Sequence, residues 1–149
     1  MLKLHFGHER EAGARSLPLV HGYVRGGPQS RLAEHWLREI TSFCAVNGLA
    51  IGEVYVDDGP MGDATESPAL SALLSRLEET GPEGSRCHGV VVAGDRQLSW
   101  DRGVAEALTR RIWATGSRLI VVDRGVSLAP PRAGGHRRCT DAGWPSTAA

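Results

Sequence analysis

Four short runs of aliphatic and β-branched residues alternate along this chain with stretches of helical periodicity, and that alternation constrains the fold more than any other feature. The runs are residues 17–25 (LPLVHGYVR), 49–56 (LAIGEVYV), 89–93 (GVVVA) and 119–122 (LIVV). Gly26, Gly27 and Pro28 break the first of them. From Ser30 to Val46 the apolar residues Leu32, Trp36, Leu37, Ile40, Phe43 and Cys44 then fall on one face of a 3.6-residue helix. Asn47 and Gly48 stop that helix, since glycine accepts the left-handed conformation of a C-terminal cap. A second helix follows Ser67, which can cap its orphan amides, with Pro68 in the first turn and Leu70, Leu73, Leu74 and Leu77 on the buried face. Val104, Leu108 and Ile112 mark a third between residues 101 and 114. Helices that connect parallel strands must cover a sheet on both faces. The expected fold class is therefore α/β, with three layers and a mostly parallel sheet flanked by helices.

The 149 residues suffice for one domain, and 41% hydrophobic content supplies a core without disulfides or metal. We expect that domain to span residues 17–123, after a flexible leader over 1–16 and before a disordered, basic, Pro- and Gly-rich tail over 124–149. The formal charge is +0, which excludes the overall positive field of a non-specific nucleic-acid binder. The ends are nonetheless basic. Lys3, Arg10, Arg15, Arg25 and Arg31 outnumber Glu9 and Glu11, and Arg124, Arg132, Arg137 and Arg138 outnumber Asp141.

No run approaches the roughly 18 to 20 apolar residues of a membrane span, so no membrane partner is expected. Cys44, Cys87 and Cys139 are odd in number and lack a CxxC, as free thiols of a cytosolic protein would be. His88 beside Cys87, and His136 near Cys139, do not form a four-ligand pattern, so neither a metal nor a cofactor is expected.

In an open parallel sheet, ligands bind beyond the carboxyl ends of the strands. The residues there are Arg25 after the first strand, Asp57 and Asp58 after the second, Asp95 and Arg96 after the third, and Asp123 and Arg124 after the fourth. Arginines at such a rim can bind phosphate while the acids orient them. Charged residues also end strands simply because strand ends are wet. Neither GxGxxG nor GxxxxGK[ST] occurs, and Pro28 removes an amide that a phosphate cradle would use.

The order of these pieces resembles the catalytic domain of serine site-specific recombinases of the resolvase and invertase type. HGYVR (21–25) is similar to the family's opening Tyr-x-Arg-Val-Ser, and YVDDGPMG (55–62) to Tyr-x-Asp-Asp-Gly-x-Ser-Gly. SPALSALL (67–74) is similar to Arg-Pro-x-Leu-x-x-Leu-Leu, and VVVAGDRQLSW (90–100) to the strand ending in Asp-Arg-Leu-Ser-Arg. The resemblance covers about residues 19–123. It implies a serine that attacks a DNA phosphodiester, with arginines that stabilise charge on the phosphate. Arg25, Asp95 and Arg96 are retained as the catalytic and phosphate-binding set, with Asp57 and Asp58 as an acidic rim.

The nucleophile position, aligned without gaps from Tyr23, is Gly27. The arginine before the proline is Ser67, the second motif's serine is Met61, and the last arginine is Ser99, or Trp100 with one residue inserted. A missing nucleophile removes the covalent route altogether. Ser30, three residues after Gly27, reads as a helix cap. The expectation is a recombinase-like protein that does not cleave DNA. Its partners would be DNA, bound weakly, and a second copy or an intact recombinase. As an alternative, the domain is a non-catalytic dimerisation or interaction module that pairs through its third helix.

Overall fold

The computed structural model describes residues 2–5, 17–26, 30–57, 67–80, 88–99, 101–123 and 125–128. Six strands form one sheet: β1 (Leu2–His5), β2 (Leu19–Arg25), β3 (Ala50–Asp57), β4 (His88–Val92), β5 (Arg118–Val121) and β6 (Val126–Leu128). The helices are α1 (Ser30–Val46), α2 (Pro68–Thr80) and α3 (Arg102–Ala114), with a 3-10 turn at Asp95–Gln97. The sheet order is β1-β3-β2-β4-β5-β6. The central four strands are parallel, as expected, and β1 and β6 add an antiparallel strand at each edge. Both edge strands lie beyond the limits of 17 and 123 read from the sequence. Four and three residues are too few to show a period, and their pairing is with strands distant or across a turn.

Strand alternation divides the core into two layers. Val20, Val24, Val54, Val56, Val91, Ala93 and Ile120 face α1, where Ile40 and Cys44 are buried against them. Tyr23, Tyr55, Val90, Val92, Leu119 and Val121 face the other way, onto Leu70, Leu73, Leu74 and Leu77 of α2 and Leu108 and Ile112 of α3. Ile51 joins the α1 side although it is three residues from Val54, because β3 carries an extra residue there. Val20 pairs with Ile51 and Gly22 with Val54, so Gly52 and Glu53 stand opposite His21 alone. The Glu53 N–H donates to His21 Nδ1 across this bulge at 3.3 Å.

The helix ends follow local chemistry, with one exception treated below. α1 closes with the Leu49 N–H on the Cys44 carbonyl at 2.9 Å and Gly48 at φ +67°, a left-handed residue just past the helix end. Asp101 caps α3 by accepting from the Val104 N–H at 2.9 Å. Gly26 brings β2 against the start of α1: a Cβ there would meet Ala33 Cβ at 2.6 Å and its backbone at 3.0 Å. Among the described residues no helix is long and apolar enough to cross a membrane.

Candidate functional site

β2, β3, β4 and β5 run parallel, so their carboxyl ends form one rim, and Arg25, Asp57, the Asp95–Gln97 turn and Asp123 all lie along it. The structure does not leave Arg25 and Asp57 at a wet strand edge. Each is 3% exposed, and both belong to one buried hydrogen-bond network. Arg25 Nε donates to the Tyr23 hydroxyl at 3.2 Å. The Tyr23 hydroxyl donates to Asp57 Oδ2 at 2.8 Å and lies 3.2 Å from Ser67 Oγ. A phenol has one proton, and Asp57 takes it, so Ser67 is the donor to Tyr23. Tyr23 thereby has its full complement of one donated and two accepted bonds. Burial pushes its phenol up to about 12, Asp57 acts in the same direction, and the bond from Ser67 opposes it.

Asp57 also supplies the cap of α2. Its Oδ1 accepts from the Ala69 N–H at 2.9 Å and its Oδ2 from the Leu70 N–H at 3.2 Å. A carboxylate at a helix N-terminus satisfies orphan amides and meets the positive end of the helix dipole. This corrects the sequence reading of Ser67. Its carbonyl does accept the first helical bond, from Ser71 N–H at 2.9 Å, but its side chain is directed to Tyr23 and a residue from another element caps the helix.

Two participants went unnoticed in the sequence. Tyr23 is two residues before Arg25, on the same face of a strand, which is the signal that could have joined them. Gln97 is 4% exposed, and its Oε1 accepts from the Arg25 N–H at 2.8 Å. β4 pairs with β2 only as far as Tyr23 and Val92, so Gln97 supplies the acceptor that a longer β4 would have provided. That bond ties the turn carrying Asp95 and Arg96 to the end of β2.

Arg96 is exposed, so the retained arginines differ: one is embedded and one faces solvent. Asp95 lies in the 3-10 turn beside it, its side chain outside the described set. Gly27, Asp58, Met61, Trp100 and Arg124 fall outside the described residues, as do Cys87, His136 and Cys139. Ser99 accepts from the Asp101 N–H at 3.1 Å and so helps start α3. Ser30 is the first residue of α1. Among the described residues no three metal-ligating side chains come together. Cys44 is a buried thiol, pushed up to about 12 by burial, and is unreactive on that account. The hydroxyls described in this cluster, Tyr23 at 0% and Ser67 at 6% exposure, are both committed within it.

No family model matches the sequence, and no curated protein does. Solved structures do match the fold. The N-terminal catalytic domain of TP901-1 integrase superposes with a TM-score of 0.63 at 18% identity, covering 73% of this chain and 80% of that one. The C-terminal catalytic domain of ISC1926 TnpA, an IS607-like serine recombinase, gives 0.59 at 17% identity over 70% of each chain. A resolvase family site-specific recombinase from Streptococcus pneumoniae gives 0.60 at 16% identity, covering 74% of this chain and 75% of that one. The fold of this chain is thus that of serine recombinase catalytic domains, as the four sequence motifs implied.

Proposed function

We propose that this chain is a recombinase-fold protein that does not cleave DNA, and that its remaining polar residues maintain the fold. The observation that carries this reading is the buried hydrogen-bond network of Arg25, Tyr23, Asp57 and Ser67. An arginine that must grip a phosphate needs an open guanidinium, whereas Arg25 is 3% exposed and donates to Tyr23. The glycine at position 27 supports the same conclusion, since it carries no group that could attack phosphorus. Arg96, with Asp95 beside it, is the exposed phosphate contact at the rim, and the DNA binding it supports is weak.

Mixing the purified protein with a supercoiled plasmid bearing recombination sites tests this reading. The expected result is no covalent protein–DNA adduct and no change in topology. A phosphoserine-linked adduct overturns it.

The alternative, an interaction module that pairs with itself or with an intact recombinase, is favoured by one observation. Two large apolar side chains of α1, Leu32 and Val46, are exposed.

A further inference from the structure

The bulge in β3 sets which residues meet at the rim. Before it Val20 pairs with Ile51; after it Tyr23 pairs with Tyr55 and Arg25 with Asp57, one residue further along β3 than the earlier register would give. Without the extra residue Val56, and not Asp57, would stand opposite Arg25. A bulge leaves backbone groups of the longer strand without a ladder partner, and here a side chain supplies one. His21, 4% exposed, accepts the Glu53 N–H on Nδ1 at 3.3 Å. The space is fitted to the ring. A Cβ at Gly52 would meet His21 Cε1 at 3.1 Å and Nδ1 at 3.2 Å, and the Tyr55 ring stands edge-on at 78°, its centroid 6.4 Å away. A ring nitrogen that accepts carries no proton, so this imidazole is neutral with its proton on Nε2. Imidazolium has a proton on both nitrogens and would set one N–H against another.

We infer that His21 is an acid-sensitive latch on the β2–β3 register: the neutral ring closes the bulge, and its protonation opens the bulge and loosens the network of Tyr23, Asp57 and the start of α2 that this register aligns. The titratable groups around the ring are few. On β3 they are Glu53 and Tyr55, and the Tyr55 hydroxyl donates to the Glu53 carboxylate. Arg76 and Glu79 of α2 act on Tyr55 in opposite directions. β4 places Val90 opposite His21, Tyr23 lies two residues on along β2, and on β1 His5 pairs in register with Glu53. The unfolded chain binds this proton at the ordinary imidazole value of about 6.5, whereas the folded chain must first give up a buried bond. Stability is therefore full above about pH 6.5 and falls as pH drops through it, by at most about tenfold in the unfolding constant per pH unit for one proton.

Chemical denaturation of the full chain between about pH 7.5 and 5 tests the inference. The parent should lose stability over this window, and His21→Asn, whose Oδ1 accepts from the same N–H and does not titrate, should lose less. Ring-nitrogen NMR of the parent, with His21 assigned through its contact with Tyr55, should show Nδ1 bare and Nε2 protonated at neutral pH, and this reading stands whether or not the variant folds. Hydrogen-exchange protection of the Ala69 and Leu70 amides, corrected for the intrinsic effect of pH on exchange, should fall in the same window, which a disturbance confined to the bulge would not produce. A proton on Nδ1 at neutral pH overturns the inference, as does an acid decline as steep in His21→Asn as in the parent. Stability that is flat or rises on acidification overturns it too, a rise showing imidazolium paired with the Glu53 carboxylate. Unchanged protection of the two α2 amides overturns the link to the rim.

Discussion

The carboxylate of Asp57 accepts a hydrogen bond from the backbone N–H of Ala69, 12 residues further along the chain, at 2.9 Å. One side chain at the end of a strand thus holds the start of the next helix, and through Tyr23 it also holds the neighbouring strand. Asp57→Ala strands two helix amides and a phenol, all buried, and should cost roughly 2 to 4 kcal/mol. Ser67→Ala, which removes one donor, should cost about 1 kcal/mol. Denaturant midpoints give the order. Equal losses, or a larger one for Ser67→Ala, would return the cap to the serine.

Alkaline pH should weaken the fold through the same network. The Tyr23 phenol rises from its ordinary 10.0 to about 12 in the folded chain, so the unfolded chain loses this proton first. The stabilisation is complete below about pH 10 and is lost as pH climbs towards 12. Burial pushes the Cys44 thiol and the Tyr55 phenol upward too, and both act in the same direction. Tyr23→Phe should lower stability at neutral pH by about 1 to 3 kcal/mol and make the alkaline decline shallower. Chemical denaturation between pH 8 and roughly 12 measures both effects. A decline as steep in Tyr23→Phe as in the parent would remove Tyr23 from the account.

Gly26→Ala should be among the costlier single-methyl additions. Its Cβ would press on Ala33 Cβ at 2.6 Å, and a backbone contact at 3.0 Å limits any escape. Overpacking of this kind typically costs about 1 to 3 kcal/mol. Adding Ala33→Gly should recover part of the loss, because the methyl–methyl clash disappears and the backbone contact persists. No recovery in thermal melts would mean that strain elsewhere in the β2–α1 connection decides the outcome.

DNA binding should be weak and steeply salt-dependent, and the two retained arginines should respond differently. Arg96→Ala should lower the salt slope by about 0.9, the value of one phosphate contact, and lower the melting temperature less than Arg25→Ala does. Arg25→Ala should lower the melting temperature, since it leaves Tyr23 short of a donor inside the sheet. Titration of labelled duplex at several salt concentrations, beside thermal melts, separates the cases. Tight binding that survives high salt would contradict the proposed role of the rim.

Much of this architecture was legible in the chain. The apolar period bounded α1 at residues 30–46, and the β-branched runs located all four parallel strands. The edge strands were not legible, because Leu2–His5 and Val126–Leu128 are shorter than any window in which alternation can be counted. The site was legible in position and wrong in environment. Strand-end charges at Arg25 and Asp57 read as solvent-facing, and only the fold shows Tyr23, Ser67 and the start of α2 closing over them. A cap donated across 12 residues leaves no local pattern, whereas the cap at Asp101, three residues from its amide, does.

The burial of Arg25 changes what sequence retention at this rim signifies. Once a guanidinium, a phenol and a carboxylate are linked through hydrogen bonds inside a sheet, replacing any one of them takes a buried bond from its neighbours. Selection for folding alone is enough to hold Tyr23, Arg25 and Asp57 in place. Retention of that trio therefore reports on the fold and not on phosphate chemistry; a surface position such as Arg96, whose side chain faces water, is the more informative record.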